Sequence, residues 1–378
     1  MLKLTRSLLM FAVGVGAALP TLASAQSKDA AGAVFVMSNA ANKNEVIAFE
    51  RNANGTLSES VSYDTHGRGS GGITDPLESQ GSLTLSQDHS LLFAVNAGSG
   101  DVTVFNVQKS AALSFLSKTP SGGAQPSAIA ESRGLVYVLN SGGAGSLVGF
   151  HLDNGGRLEP IKNSTTFLTG TTTGGASLAF SPDGQFLVAT ERVANNIDVF
   201  RIQADGTLSP IVVNPNPAPG TFSVAFAPEG VAIVSETGPA GATNGSTISS
   251  YKVNANGTLT AITHTLPTFA AGNCWDAITP DGRWVYTSNS GSDNISGFNI
   301  GKDGTLTPIA GTILGNNPAG SHNVDIAVSA DGKFVYTINS QSGNIGIFAI
   351  NQQDGTLTSL GQGGDLPKSV GFNGIAAL

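Results

Sequence analysis

The sequence predicts an all-β fold: a seven-bladed β-propeller of four-stranded blades, its ring closed by a C-terminal strand that pairs into the N-terminal blade. Three observations predict it. The first is a repeat. A strand that ends in an aromatic recurs at Phe49, Phe105, Phe150, Phe200, Tyr251, Phe298 and Phe348, stepped by 56, 45, 50, 51, 47 and 50 residues. About fifty residues per unit is the length of a propeller blade. The second is turn chemistry at fixed places in each unit. Asp205-Gly206-Thr207-Leu208 and its relatives at Asn54, Gly155, Asn256, Asp303 and Asp354 follow the aromatic strand, and turns such as Ser181-Pro182-Asp183-Gly184 precede its partner. Glycine supplies the positive φ such hairpins need. The third is composition: 49 Gly among 378 residues, with only 12% charged. That favours strands and turns over long helices.

Each unit reads as four strands, A to D. In the unit around Ser181 to Ile211, Phe186-Leu187-Val188-Ala189-Thr190 is a run of β-formers, and Ile197-Asp198-Val199-Phe200-Arg201-Ile202 alternates with period two. A short strand such as Ser177-Leu178-Ala179-Phe180 comes before them, and the Asp-Gly hairpin leads to a fourth. Seven such sheets must close, or two strand edges stay open. Ala33-Val34-Phe35-Val36-Met37 matches strand B, and its missing strand A is found at the other end of the chain, over Val370 to Ile375.

The expected organisation is a signal peptide over 1–25, a short linker over 26–32 and one propeller domain over 33–378. Lys3 and Arg6 precede the apolar run Leu8 to Ala18, and Ala23-Ser24-Ala25 is a small-residue cleavage site. The run is too short to span a bilayer, which takes about 20 residues. The expected location is therefore periplasmic or secreted, without membrane insertion once the leader is removed. Removing the leader takes two basic residues and no acid from a chain of 18 basic and 26 acidic side chains. An acidic surface of this kind argues against nucleic acid. Cys274 is the lone cysteine, so no intramolecular disulfide forms.

The A–B and C–D turns share one face, and the B–C and D–A loops share the other. The tidy turns belong to the first face. The longest irregular segment, Asp64 to Gln80, is a D–A loop carrying His66, Arg68, Asp75 and Glu78. Strand B ends in Asn39, Asn96, Asn140, Glu191, Glu236, Asn289 and Asn339. These are expected at the mouth of the central channel. The Asn residues suit loop capping, and Asn140, Asn289 and Asn339 are also substrate-binding candidates. Glu191 and Glu236 come from adjacent blades, where mutual repulsion would raise one pKa towards the range of a general acid. The plainer reading is an ion pair from either one to Arg192, the only Lys or Arg directly after a strand B. His66, Arg68, Trp275 and His322 complete the substrate-binding candidates. No metal, phosphate-loop or nucleophile-elbow motif is present, and no cofactor is expected.

The phrases Phe334-Val335-Tyr336-Thr337 with Asn344-Ile345, and Asp303-Gly304-Thr305-Leu306-Thr307-Pro308-Ile309, resemble the seven-bladed propeller lactonase family. That family includes 6-phosphogluconolactonase-like proteins and 3-carboxymuconate lactonising enzymes. The resemblance covers Ala33 to Leu378. It implies hydrolysis or formation of a small organic-acid or sugar lactone in the channel by His, Arg and Glu, with no metal. On this reading Arg192 holds a carboxylate or oxyanion, and Glu191 or Glu236 handles the proton. The family's His and Arg sit at strand A starts, which here are Gly81, Pro126, Ala176, Phe222, Cys274 and Val324. That departure favours a second reading, a non-catalytic exported propeller that binds a ligand or a protein partner on its loop face.

Overall fold

The computed structural model describes residues 31–108 and 111–378. The expected leader and most of the linker lie outside them; Gly32, the last expected linker residue, already belongs to a strand. Among the described residues the chain forms seven sheets and no helix. In blade 4, for example, strands A to D are Gly175–Phe180, Phe186–Glu191, Asn196–Arg201 and Val212–Pro215, paired in that order. In blade 6 they are Asn273–Ile278, Trp284–Asn289, Asn294–Ile300 and Leu306–Asn316. Blade 3 splits its outer strand into Leu158–Pro160 and Thr166–Phe167, both paired to Ser146–Leu152.

The turns close on themselves, as their residues dictate. The Ser181 hydroxyl donates to Asp183 (2.6 Å) and accepts from the Phe186 amide (2.9 Å), while Gly184 takes φ 72°. Asp205 accepts from both the amide and the hydroxyl of Thr207, at 3.0 and 2.7 Å. These Asp side chains are spent on turns. The aromatic that ends the repeat motif is buried in every blade, Phe49 to Phe348, between neighbouring sheets. Fully burying such a ring contributes up to about 3 kcal/mol.

Blade 1 is assembled from both ends of the chain. Its strand A is Ile375–Ala377, antiparallel to Gly32–Met37, so the last segment completes the first blade as expected. The strand lies later than Val370 to Ile375. Gly371 and Gly374 take φ 84° and 89°, which interrupts extended pairing, although Met37 still bonds to Gly374 O and Asn373 to Met37 O. Two further devices hold the seam. The Tyr336 hydroxyl of blade 7 donates to Gly55 O in the blade 1 hairpin (2.9 Å), repeating Tyr137 to Gly206 O and Tyr286 to Gly355 O in other blade pairs. Arg51, 1% exposed, donates to Leu378 O, Ala31 O and the Asp331 carboxylate, and its guanidinium lies 5.3 Å from the Phe334 ring centre. One buried side chain thus ties the start of the described chain, its end and blade 7.

Candidate functional site

Strand A lies next to the axis and strand B one place out. The ends of strand B therefore do not line the channel mouth. They sit behind strand A and beneath incoming D–A loops, and all seven, Asn39 to Asn339, have no exposed surface. Five of them bond to strand C of their own blade, whereas the Asn39 and Asn140 side chains reach segments arriving from elsewhere. Asn96 Nδ2 donates to Asp101 (2.7 Å) and Thr103 (2.9 Å), and Asn289 Nδ2 to Asn294 and Ser296, both 2.9 Å. Asn339 bonds Asn344 (2.8 Å), and Asn140 reaches Ser121 O at 3.4 Å.

Glu191 and Glu236 occupy the same corner in blades 4 and 5, each with its own set of partners. Glu191 accepts from the amide (2.7 Å) and hydroxyl of Thr169 and from Asn196 Nδ2 (3.0 Å). Glu236 accepts from Asn216 Nδ2 (3.1 Å) and Thr247 Oγ1 (2.7 Å), and burial raises its pKa. The acid that Glu191 meets is Asp198 of its own blade. Burial, and after it the charge of Glu191 and a hydrogen bond to it, hold the Asp198 carboxyl up at about 8. Asp198 stands where other blades have Thr103, Ser249 and Ser296. Superposing the repeats would have singled it out.

The axis itself is occupied by the long D–A loop. Residues 67 to 71 lie flat on the corners of blades 1 and 2: Gly69 bonds Ala40 O, and the Arg68 carbonyl accepts from Gly98 and Ser99. The approach is so close that a Cβ on Gly69 would fall 2.1 Å from the Asn39 backbone, which demands glycine. The loop then crosses the ring. Gln341 donates to Thr74, Asn373 Nδ2 to Asp75 (2.7 Å), Trp275 Nε1 to Ser79 O (3.0 Å), and Ser79 to Ser127 O (2.8 Å). The Gln80 side chain forms both bonds to the Asp276 backbone, at 2.7 and 3.2 Å. Four segments distant in sequence grip this part of the loop.

Arg192 arrives at this loop from blade 4 and pairs with Glu78; the two side chains are 29% and 61% exposed. Beside them Asp75, half-buried, is raised well above the ordinary carboxyl range by burial, then by Glu78 and Asp325, against the Asn373 hydrogen bond. Burial, followed by Asp75, also raises the Cys274 thiol, which stays protonated. Trp275 is 1% exposed and packs edge-on against Phe222, with centres 5.3 Å apart, so it anchors the loop. His322 lies nearby at the blade 6–7 junction, its amide on Asp293 (2.7 Å). His66 is exposed on the outer edge, its ring 4.5 Å from Phe115. Arg68 engages blade 2 through its backbone, its amide donating to the Ser99 hydroxyl. Of the predicted residues, then, Arg192, Trp275 and His322 come near the axis. Among the described residues no three His, Cys, Asp or Glu group to hold a metal.

The fold and the axial cluster define a closed seven-bladed propeller with one guanidinium and several carboxyls gathered where the D–A loop meets the axis. The chain belongs to the seven-bladed β-propeller lactonase family: the family model described as "Lactonase, 7-bladed beta-propeller" matches residues 35–141, 144–235 and 244–372. Solved structures share the fold. A protein from Bacteroides uniformis ATCC 8492, provisionally described as a 6-phosphogluconolactonase, is 20% identical with TM-score 0.71, over 92% of this chain and 99% of that one. The Pseudomonas aeruginosa periplasmic gluconolactonase PpgL is 21% identical with TM-score 0.68, over 91% and 99%. Comparison with curated proteins gives no match. Among the described residues no helix is long and apolar enough to cross a membrane.

Proposed function

We propose that this is an exported lactonase-like propeller that hydrolyses a small organic-acid or sugar lactone at the loop-face end of its axis. The observation that carries this is the meeting of Arg192 with Glu78 and Asp75 on the axial loop. A guanidinium suits bidentate capture of a carboxylate or of the oxyanion that forms as water attacks a lactone carbonyl. Glu78, exposed beside Arg192, is the base for that water. Asp75, kept protonated by burial and its acidic neighbours, donates to the leaving alkoxide. In this assignment the proton work passes from Glu191 and Glu236 to the loop, because their carboxylates are committed inside blades 4 and 5. The leader read from the sequence and the periplasmic neighbour support export.

The test is steady-state hydrolysis of a panel of aldono- and muconolactones. Arg192→Ala and Glu78→Gln are each expected to lower kcat/KM at least about tenfold. Full activity in both variants would place the site elsewhere. The binding reading is favoured by one observation, the absence of His or Arg at the strand A starts from Gly81 to Val324. A wild-type protein that turns over no lactone on the panel would select it.

A further inference from the structure

Behind the axial loop, the channel is a separate cavity. It holds about 360 Å³, at the small end of ligand sites. Its inner end is set by Gln80 and Asp325. Its walls are Leu85, Ile129, Phe180, Val224 and Ile326, and Gln87 and Glu131 stand at the far end. Strand A runs from the loop face to the A–B turn, so that far end opens on the turn face, away from Arg192. By strand register Glu131 stands level with Val328 of blade 7, three residues from Asp325. At the usual rise this separates the two acids by about 10 Å along the axis.

The chemistry of this cavity is one-sided. Asp325 is 2% exposed and adopts φ 63°, a left-handed backbone at the point where its strand bulges. Its two oxygens accept single backbone hydrogen bonds, from Ile326 (2.9 Å) and Ile375 (3.0 Å), and so keep lone pairs to spare. No Lys, Arg or His lines the cavity. On the axial loop the group that feels the charge of Asp325 is another acid, Asp75. Burial without a counter-cation holds the Asp325 carboxyl up at about 7. Glu131 accepts the amides of Gln87 (3.0 Å) and Gly134 (2.7 Å), which fixes a second carboxylate at the mouth.

We propose that this cavity is a binding site for a small aliphatic amine, whose ammonium pairs with Asp325 while its hydrocarbon body lies against the Leu85, Ile129, Phe180 and Ile326 walls. A short diamine would place its second ammonium towards Glu131. An anion would meet acids at both ends with no donor cation, and an uncharged chain would leave Asp325 uncompensated. The site is distinct in face and in charge from the one proposed for lactones.

Isothermal titration calorimetry on the full exported chain tests this, with butylamine and 1,4-diaminobutane as probes and 1-butanol and butyrate as matched controls. The amines are expected to bind, and the controls to bind at least about tenfold more weakly, as loss of a charge-assisted contact requires. Asp325→Asn keeps the side chain's shape and is expected to weaken the amines by the same factor. Because Asp325 also holds Ile375 of the clasp strand, Ala225→Leu serves as the second variant: it fills the wall without touching Asp325 and should reduce amine binding while the melting temperature holds. Equal binding of butanol or butyrate, or wild-type affinity in Ala225→Leu, overturns the proposal, as does the absence of amine binding at millimolar concentration.

Discussion

Blades 4 and 6 build the same corner from opposite chemistry. In blade 6, Asn289 at the end of strand B donates to Asn294 and Ser296, and the Ser296 hydroxyl in turn donates to Thr268 O at 3.0 Å. Every partner is neutral. In blade 4 the equivalent residues are Glu191 and Asp198, two buried acids in contact, one of which must keep its proton. The corner needs hydrogen bonds at a fixed spacing, and either an amide with a hydroxyl or a carboxylate with a carboxylic acid supplies them. The repeated backbone tolerates the exchange. The cost appears as a dependence on pH that the Asn289–Ser296 corner of blade 6 lacks.

The largest way to break this comparison is Glu191→Ala. It strips partners from the Thr169 amide and hydroxyl, Asn196 and Asp198 at once. Denaturant unfolding at pH 7 should show a loss of about 3 kcal/mol or more, since buried donors left unpaired cost about 1–3 kcal/mol each. An unchanged midpoint would mean that the corner does not depend on the carboxylate.

Asp198→Asn converts blade 4 towards the blade 6 arrangement, because an amide donates to Glu191 without needing a proton from solvent. At pH 8 it should stabilise by about 1–2 kcal/mol. The sign follows from proton counting. Asp198 and Asp276 hold their protons to about 8 in the folded chain and Asp325 to about 7, against 3.8 unfolded. The folded state binds more protons across that window, so stability falls as pH rises from about 4 to 8 and levels off above. The turn residue Asp88, held down at about 2, acts in the opposite direction, below 3.8 only. Melting temperatures measured from pH 5 to 9 should decline in wild type and decline less in Asp198→Asn. Parallel curves would show that Asp198 is ionised throughout.

Ser296→Ala in blade 6 removes one acceptor from Asn289 and one donor from Thr268 O. Its cost should be about 1 kcal/mol and the same at pH 5 and pH 9, since no acid is involved. A pH-dependent cost would contradict the contrast between the blades. The smallest effect on stability is expected for Arg192→Ala, within about 1 kcal/mol, because its partnership with Glu78 is largely solvated. A larger loss, read from the melting curve, would make that pair a structural clamp on the axial loop.

The repeat was legible because it is carried by local chemistry. Asp-Gly turns, period-two strands and an aromatic every fifty residues each report on a few neighbouring residues, and seven copies reinforce one another. Closure was legible for the same reason, as a strand missing at one end and present at the other. The location of the clasp to within a few residues was not, because positive φ at Gly371 and Gly374 is set by packing against blade 1. Arg51 gave no sign of its role as a seam residue. Its partners Ala31, Asp331 and Leu378 are scattered across the chain and meet only when the ring closes.

The candidate site divides along the same line. The sequence by itself determined the blades, the sorting of loops to two faces, and the oddity of Glu191, Arg192 and the Asp64 to Gln80 loop. It did not determine which way these side chains point. A residue at the end of strand B and its successor differ by one step of a period-two pattern, and that step sends Glu191 into the blade and Arg192 towards the axis. Only the tertiary structure decided that the loop crosses the ring to meet Ser127, Trp275, Gln341 and Asn373. Contacts across a propeller axis join residues far apart in sequence, 114 positions for Glu78 with Arg192 and 298 for Asp75 with Asn373, so local pattern contains no record of them, and the acids and the guanidinium meet only in the folded ring.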